Sequence, residues 1–468
     1  MQSPLIRYLK DIRFWIILLF IIRLYGIKLP PLEVSHNWRQ TTVTMVARNF
    51  YENNSNIFYP QIDIAGEKSG ITGMEFPLLN YTIYLISKIF DYQHWYGRLI
   101  NLILSSIGIY YFYKLIKKYF TIEIAFNSTI VLLVSIWFSF SRKIMPDTFS
   151  VSFVIIGMYF GTEYLDNKNG FKNLLFFFLF SLFGMLSKLT AAYLLILYIP
   201  LLLKKYIPLT RKLVFCSTGF IFVFITLLWY QYWVPFLVQN FGFWHFFMGK
   251  SFFIGLEEIL HNIPETLKRF YDSAIKYIGF LVFLFGIIQF VRNKNRQLIY
   301  LFSLSIIGFS FIILKSGFTF YHHNYYVIPF VPIMALICGY GLDQIKNNKI
   351  SMMLLFSIGI EGVLTQQHDF FIRPEYRAIE NLEKDLDLVS KREDLILINS
   401  GNYPTPMYFA HRKGWVDANE NIQKAMYLES LKNKGLKYLV VLKKVFGTNI
   451  SLTYPLVFEN ENYSIYKL

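Results

Sequence analysis

Apolar runs long enough to cross a bilayer recur along most of this 468-residue chain, and that recurrence limits its folds more than any other feature. In hydrocarbon every backbone N–H and C=O must be paired within the protein, so such runs form helices. The runs predict spans at 12–28, 97–116, 122–140, 147–165, 172–187, 189–204, 212–233, 276–291, 297–314, 324–342 and 350–365. The composition agrees: 54% of residues are hydrophobic and only 16% are charged. The expected fold class is therefore an α-helical polytopic membrane protein of about eleven transmembrane helices.

The net charge of +16 reflects where the cations lie. Arg7, Lys10 and Arg13 precede "FWIILLFIIRLYGI". Lys114, Lys117 and Lys118, then Lys168 and Lys172, Lys204 and Lys205, Arg292 and Lys294, and Lys346 and Lys349 fill alternate loops. This is the positive-inside pattern. It predicts a cytoplasmic N-terminus and an extracytoplasmic C-terminus. No basic-aromatic nucleic-acid module accompanies the charge, so nucleic acid is not expected as a partner. Cys216 and Cys338 both sit in apolar runs and read as small core residues. No small-residue cleavage site follows the first run, which reads as an uncleaved span.

Three long segments face outward in this topology: 29–96, 234–275 and the tail from about 366. The expected organisation is a membrane domain over 1–365, with outer loops 29–96 and 234–275, and a small α/β domain over 366–468. In the tail, "RAIENLEKDLDLVSKRE" reads as an amphipathic helix, "LILIN" and "YLVVL" as buried strands, and "NIQKAMYLESLKNKG" as helical.

Polar signals gather at the outer face. "SHNWRQTTVTMVARNF" offers Ser35 or Asn37 as a helix N-cap and reads as an interfacial helix carrying His36, Trp38, Arg39 and Gln40. Asp63 and Glu75 follow in a glycine-containing loop, each among apolar or small residues. Arg142, Lys143 and Asp147 stand at one span end, Lys188 at a hairpin tip, and His322, His323, Tyr325 and Tyr326 at the start of another span. Charged groups beside hydrocarbon are costly unless paired or functional. Cations with carboxylates at one face can bind a phosphate and activate a nucleophile. The bland readings stand beside these: lysines that snorkel to headgroups, and a loop-capping Asp63. Adjacent histidines chelate poorly and no third ligand stands near them, so no metal-binding residues are assigned.

Taken together, "HNWRQ…ARNF", "YPQID", "EFPLLNY", "YGRLINLILSSIGIYYFYKL", "MPDTFSVSFVIIGMYF", "SKLTA" and "HHNYYVIPFVPIMALICGYGL" resemble the bacterial branch of the GT-C glycosyltransferases. That branch is similar to dolichyl-phosphate-mannose protein mannosyltransferases and to the aminoarabinose transferase of lipid A. The resemblance covers residues 10–345. It implies a GT-C fold in the bacterial inner membrane with an extracytoplasmic active site. It implies an undecaprenyl-phosphate sugar as donor and a glycan, lipid or protein acceptor, with inversion at the anomeric carbon. No cofactor is certain, though a divalent metal is compatible with the family.

By the same resemblance Glu75, then Asp63, are candidates for the base. Asp147 would position substrate, and Lys188, Arg39, Gln40, His36, His322, His323 and Tyr325 would meet phosphate and sugar. One departure stands out. Many relatives carry an acidic pair at the start of the first outer-loop helix, where this chain has Arg39-Gln40. Either Asp63 or Glu75 has taken that role, or the chain is catalytically altered. Two other classes remain in view, a lipid-linked glycan ligase or polymerase and a non-enzymatic lipid or glycan transporter. The "EFP" and "MPD" placement fits the first less well. The transporter predicts mid-membrane charges and broken helices in paired halves, which the sequence does not show.

Overall fold

The computed structural model of the chain describes residues 8–166, 170–243 and 249–468. Arg7 and Lys168, two of the cations expected inside, lie outside the described residues. The chain divides into two units, Met1–Ile27 with Arg98–Trp229 and Phe247–Gln367, and Lys28–Gly97 with Tyr230–Phe246 and His368–Leu468.

Six described helices are long and apolar enough to cross a membrane: Tyr96–Tyr119, Pro146–Leu165, Gly170–Ser187, Leu209–Phe241, Arg296–Ser316 and Asn324–Asp343. The number rises to eight if two bent helix pairs each count as one span. One pair, Ile263–Ala274 with Lys276–Arg292, turns by 101°. Some of the expected spans are thus shorter than the sequence suggests, Ile12–Arg23 and Ile122–Val134 among them.

Two segments make up length by tightening. Leu189–Tyr198 and Asn324–Phe330 are 3₁₀ helices, which rise about 2.0 Å per residue rather than about 1.5 Å. With the α-helical turn Ile199–Leu202, Leu189–Leu202 therefore covers about 26 Å in fourteen residues.

Small residues set the close packing of the first unit. On the Pro146–Leu165 helix Gly157 lies against Ser181, and across the contact Gly184 lies against Val154 and the Ser150 carbonyl. Close approach of this kind holds helices together where no hydrophobic effect operates between them. Val331–Leu342 is buried all round and forms the centre of this unit.

The second unit is built on a five-stranded sheet of order β2-β1-β3-β5-β4. The strands are β1 (Leu395–Ile398), β2 (Gly414–Val416), β3 (Leu436–Leu442), β4 (Leu456–Glu459) and β5 (Tyr463–Lys467). β1 pairs parallel with β2 and β3, while β5 runs antiparallel to β3 and β4. The expected "LILIN" and "YLVVL" strands are β1 and β3. Their unbroken apolar runs follow from burial on both faces. Ile396, Ile398, Val440 and Ile465 point to one side, where Met45, Val46 and Phe50 join them. Leu397, Leu439 and Val441 point to the other, against Ile422, Leu428 and Leu431.

The helix read over "RAIENLEKDLDLVSKRE" is shorter, with a 3₁₀ turn at Pro374–Ile379 and an α-helix at Leu382–Asp387. The second helical reading splits into Asn419–Ile422 and Ala425–Lys432.

Candidate active site

Each unit gathers one group of the expected residues. In the second unit the group is built on the Asn37–Asn53 helix. Its N-cap is His36, in the left-handed region at φ 66°, rather than Ser35 or Asn37. The Asn37 side chain is used elsewhere, donating to the Glu33 carbonyl at 3.1 Å and accepting from the Thr405 hydroxyl at 3.1 Å. The sequence suggested an interfacial helix with one apolar face. Here Asn37 and every residue from Arg39 to Phe50 is buried.

Arg39 donates to Glu75 Oε1 across a buried ion pair. Glu75 Oε2 is also buried, with no hydrogen-bond partner among the described residues. Gln40 donates to Glu33 Oε2 at 3.1 Å, and Glu33 is itself only 3% exposed.

Asp63 is held differently. Arg48 donates to its Oδ2 at 2.9 Å and Asn49 to its Oδ1 at 2.7 Å. Arg48 also donates to the Tyr408 carbonyl at 2.9 Å and lies 4.5 Å from the centre of the Tyr408 ring. Asp63 and its neighbours raise the Arg48 pKa against the opposing effect of burial. Tyr408 and Tyr92 share a hydroxyl–hydroxyl bond of 2.8 Å, and burial pushes both phenols up.

The loop bearing Asp63 folds back on itself through Ile62 N–H to the Gly70 carbonyl at 2.9 Å. Gly70 has φ +82°, and a Cβ there would strike the Ile62 carbonyl oxygen. Gly414 N–H donates to the Asp63 carbonyl at 3.0 Å, fastening the loop to β2.

In the first unit Asp147 lies in the first turn of Pro146–Leu165, after a proline at the position where no N–H is needed. Lys188, extended at φ −164°, precedes the 3₁₀ helix and pairs with Asp147 Oδ1. The Lys188 ammonium lies 4.6 Å and 5.1 Å from the ring centres of Tyr325 and Tyr326. Asp147 Oδ2 is buried with no hydrogen-bond partner among the described residues. His323 stacks on Tyr325 with ring centres 5.2 Å apart, whereas His322 is exposed and stacks on Phe318 at 4.9 Å.

Asn101 positions this group from a neighbouring helix. Its amide donates to the carbonyls of Phe140, Lys143 and Met145 at 3.1, 2.8 and 3.3 Å, and its oxygen accepts from Thr148 at 3.1 Å. The turn leading into Asp147 is thereby fixed. Among the described residues no group of three or more His, Cys, Asp or Glu side chains could hold a metal ion.

The structure thus brings Arg39 to Glu75, and Lys188 to Asp147, Tyr325 and Tyr326. It gives Asp63 to Arg48 and Asn49, and Gln40 to Glu33. Sequence reasoning missed Glu33, Arg48, Asn49, Tyr408 and Asn101. Glu33 carried a signal, a lone acid following the apolar "LPPL". Arg48, Asn49 and Asn101 lie within the quoted "ARNF" and "YGRLINLILSSIGIYYFYKL", but their roles and that of Tyr408 were not legible, since their partners are not local in the chain.

A family model described as dolichyl-phosphate-mannose-protein mannosyltransferase matches residues 75–230. A search of curated proteins finds no match. Among solved structures, ArnT from Cupriavidus metallidurans in the apo state is similar at TM-score 0.61 and 12% identity, over 97% of each chain. The same protein bound to undecaprenyl phosphate is similar at TM-score 0.55 and 10% identity, over 97% of this chain and 98% of that one. The Archaeoglobus fulgidus oligosaccharyltransferase in complex with Zn and sulfate is similar at TM-score 0.56 and 11% identity, over 91% of this chain and 67% of that one. The chain thus has the GT-C fold of these solved structures.

Proposed function

We propose that the chain is a glycosyltransferase of the bacterial inner membrane. It takes a sugar from a polyprenyl-phosphate donor, undecaprenyl phosphate, and passes it with inversion to a hydroxyl of a glycan, lipid or protein acceptor outside the cytoplasm. The likeness to ArnT, one structure of which is bound to undecaprenyl phosphate, supports the donor class. The observation that carries the reading is Glu75. This buried carboxylate is paired with and oriented by Arg39, and keeps one oxygen without a hydrogen-bond partner among the described residues. A general base needs such an oxygen.

In the proposed reaction the acceptor oxygen attacks the anomeric carbon and its proton passes to Glu75. The bond from that carbon to the phosphate oxygen breaks, and the polyprenyl phosphate leaves with the electron pair. Lys188 stabilises the charge growing on the phosphate, the electrostatic part of the catalysis. Asp147 holds Lys188 in place and offers its second oxygen to a sugar hydroxyl. Tyr325 and His323 line the donor, and His36 and Gln40 contact substrate beside Arg39. Asp63 is assigned to holding the fold. Segment 366–468 is assigned to the extracytoplasmic side.

The test is transfer of label from undecaprenyl-phosphate sugars in membranes expressing the protein. Label appearing in an acceptor, with free undecaprenyl phosphate released, supports the reading. No transfer from any donor in membranes that retain folded protein contradicts it.

A further inference from the structure

The first unit holds an apolar cavity of about 320 Å³ that the proposed reaction does not use. Met158, Leu197, Leu301 and Leu336 form walls from four different segments, and Lys204 stands at its edge beside Tyr119. Distances along the helices separate it from the Asp147–Lys188 pair. Met158 lies eleven residues beyond Asp147, about 16 Å along an α-helix. Leu197 lies nine residues beyond Lys188, about 18 Å along a 3₁₀ helix. The cavity therefore belongs to the opposite end of these helices, the end the positive-inside pattern makes cytoplasmic.

Its charge is simple. Lys118 is already taken by Glu163 at 2.8 Å and Asp166 at 2.5 Å. Lys204 is exposed and has no carboxylate partner among the described residues, only the rings of Tyr119 and Tyr206 at 5.9 and 5.5 Å. An apolar cavity stays dry or takes hydrocarbon, because water would find too few polar partners there. A cation at its mouth, on the leaflet that carries anionic lipid, favours an anionic headgroup.

We propose that this cavity takes an acyl chain of an anionic membrane phospholipid whose phosphate meets Lys204. The inference does not depend on the reaction assigned above. The test is native mass spectrometry of protein from nanodiscs of phosphatidylcholine and phosphatidylglycerol, for wild type, Lys204→Glu, Leu197→Trp and the control Lys205→Glu. Wild type and Lys205→Glu are expected to retain phosphatidylglycerol in preference to phosphatidylcholine. Lys204→Glu should lower that retention about tenfold, and Leu197→Trp, which fills the cavity, should lower it similarly. Lys204 is exposed, so its variant tests the idea even if Leu197→Trp does not fold. Equal retention in wild type and Lys204→Glu would overturn the proposal. So would displacement of the lipid by added undecaprenyl phosphate at a concentration where phosphatidylglycerol does not displace it, since the cavity would then be a donor-tail site.

Discussion

Arg39 binds one oxygen of Glu75 and leaves the other buried and without a hydrogen-bond partner among the described residues, whereas Asp63 has both oxygens occupied, by Arg48 and Asn49. Two acids that look alike in sequence thus differ in what they can still do. A carboxylate whose oxygens are both engaged holds structure. One with a vacant lone-pair site can take a proton from an incoming hydroxyl.

Replacing Asp63 with Asn should therefore act on stability. It strands the buried Arg48 guanidinium, and breaking a buried pair from one side costs about 3–5 kcal/mol. Thermal melts should show a marked loss for Asp63→Asn. The double variant with Arg48→Met should recover part of it, because no uncompensated charge remains. A single variant as stable as wild type would show that the pair is not structural.

Lys188→Met is expected to raise the donor KM at least about tenfold, by removing the cation assigned to the phosphate. Lys188→Arg keeps the charge and should recover part of the affinity. An unchanged KM in Lys188→Met would remove this lysine from the donor site.

Asn101→Leu removes three donated bonds to the turn before Asp147. Stranding several buried carbonyls should destabilise the protein by about 2–4 kcal/mol. Donor affinity should fall with it, since Asp147 loses its fixed entry. Asn101→Asp keeps the size but loses the donor, and should behave like Asn101→Leu.

The second unit should respond to acid through Glu52 and Glu383. Burial pushes both carboxyls up, but the hydrogen bonds from His411, at 2.7 and 2.5 Å, and the charges of His411, Arg392 and Arg48 outweigh it, so both lie below their ordinary value. Groups depressed in this way contribute stability above their unfolded value of about 4.3 and lose it as pH falls through the depressed folded value. Hydrogen exchange of the second unit should rise as pH is lowered from 5 toward 3 after correction for intrinsic rates. Glu52→Gln with Glu383→Gln should flatten that rise.

Much of this architecture is legible in the sequence because its signals are local. Apolar runs mark the membrane helices, and unbroken runs mark β1 and β3. The lysine and the acid of the Lys188–Asp147 pair each stand out against apolar neighbours. What is not legible depends on distance or geometry. Arg48 and Tyr408 are 360 residues apart. No pattern announces that Leu189–Tyr198 tightens into a 3₁₀ helix, or that His36 starts its helix from the left-handed region. The place of the absent acidic pair was visible at Arg39-Gln40. That Arg39 would bind Glu75 and Gln40 would bind Glu33 was not, because side-chain direction decides it.

The most direct measurement is single-turnover sugar transfer from labelled undecaprenyl-phosphate sugar by Glu75→Gln, with donor binding measured in parallel. Glutamine keeps the shape and the contact near Arg39 but cannot take a proton. We expect donor binding close to wild type and transfer slowed about 10²- to 10⁴-fold, the usual contribution of a general base. Transfer at the wild-type rate by a folded Glu75→Gln protein would contradict the assignment of Glu75 as base.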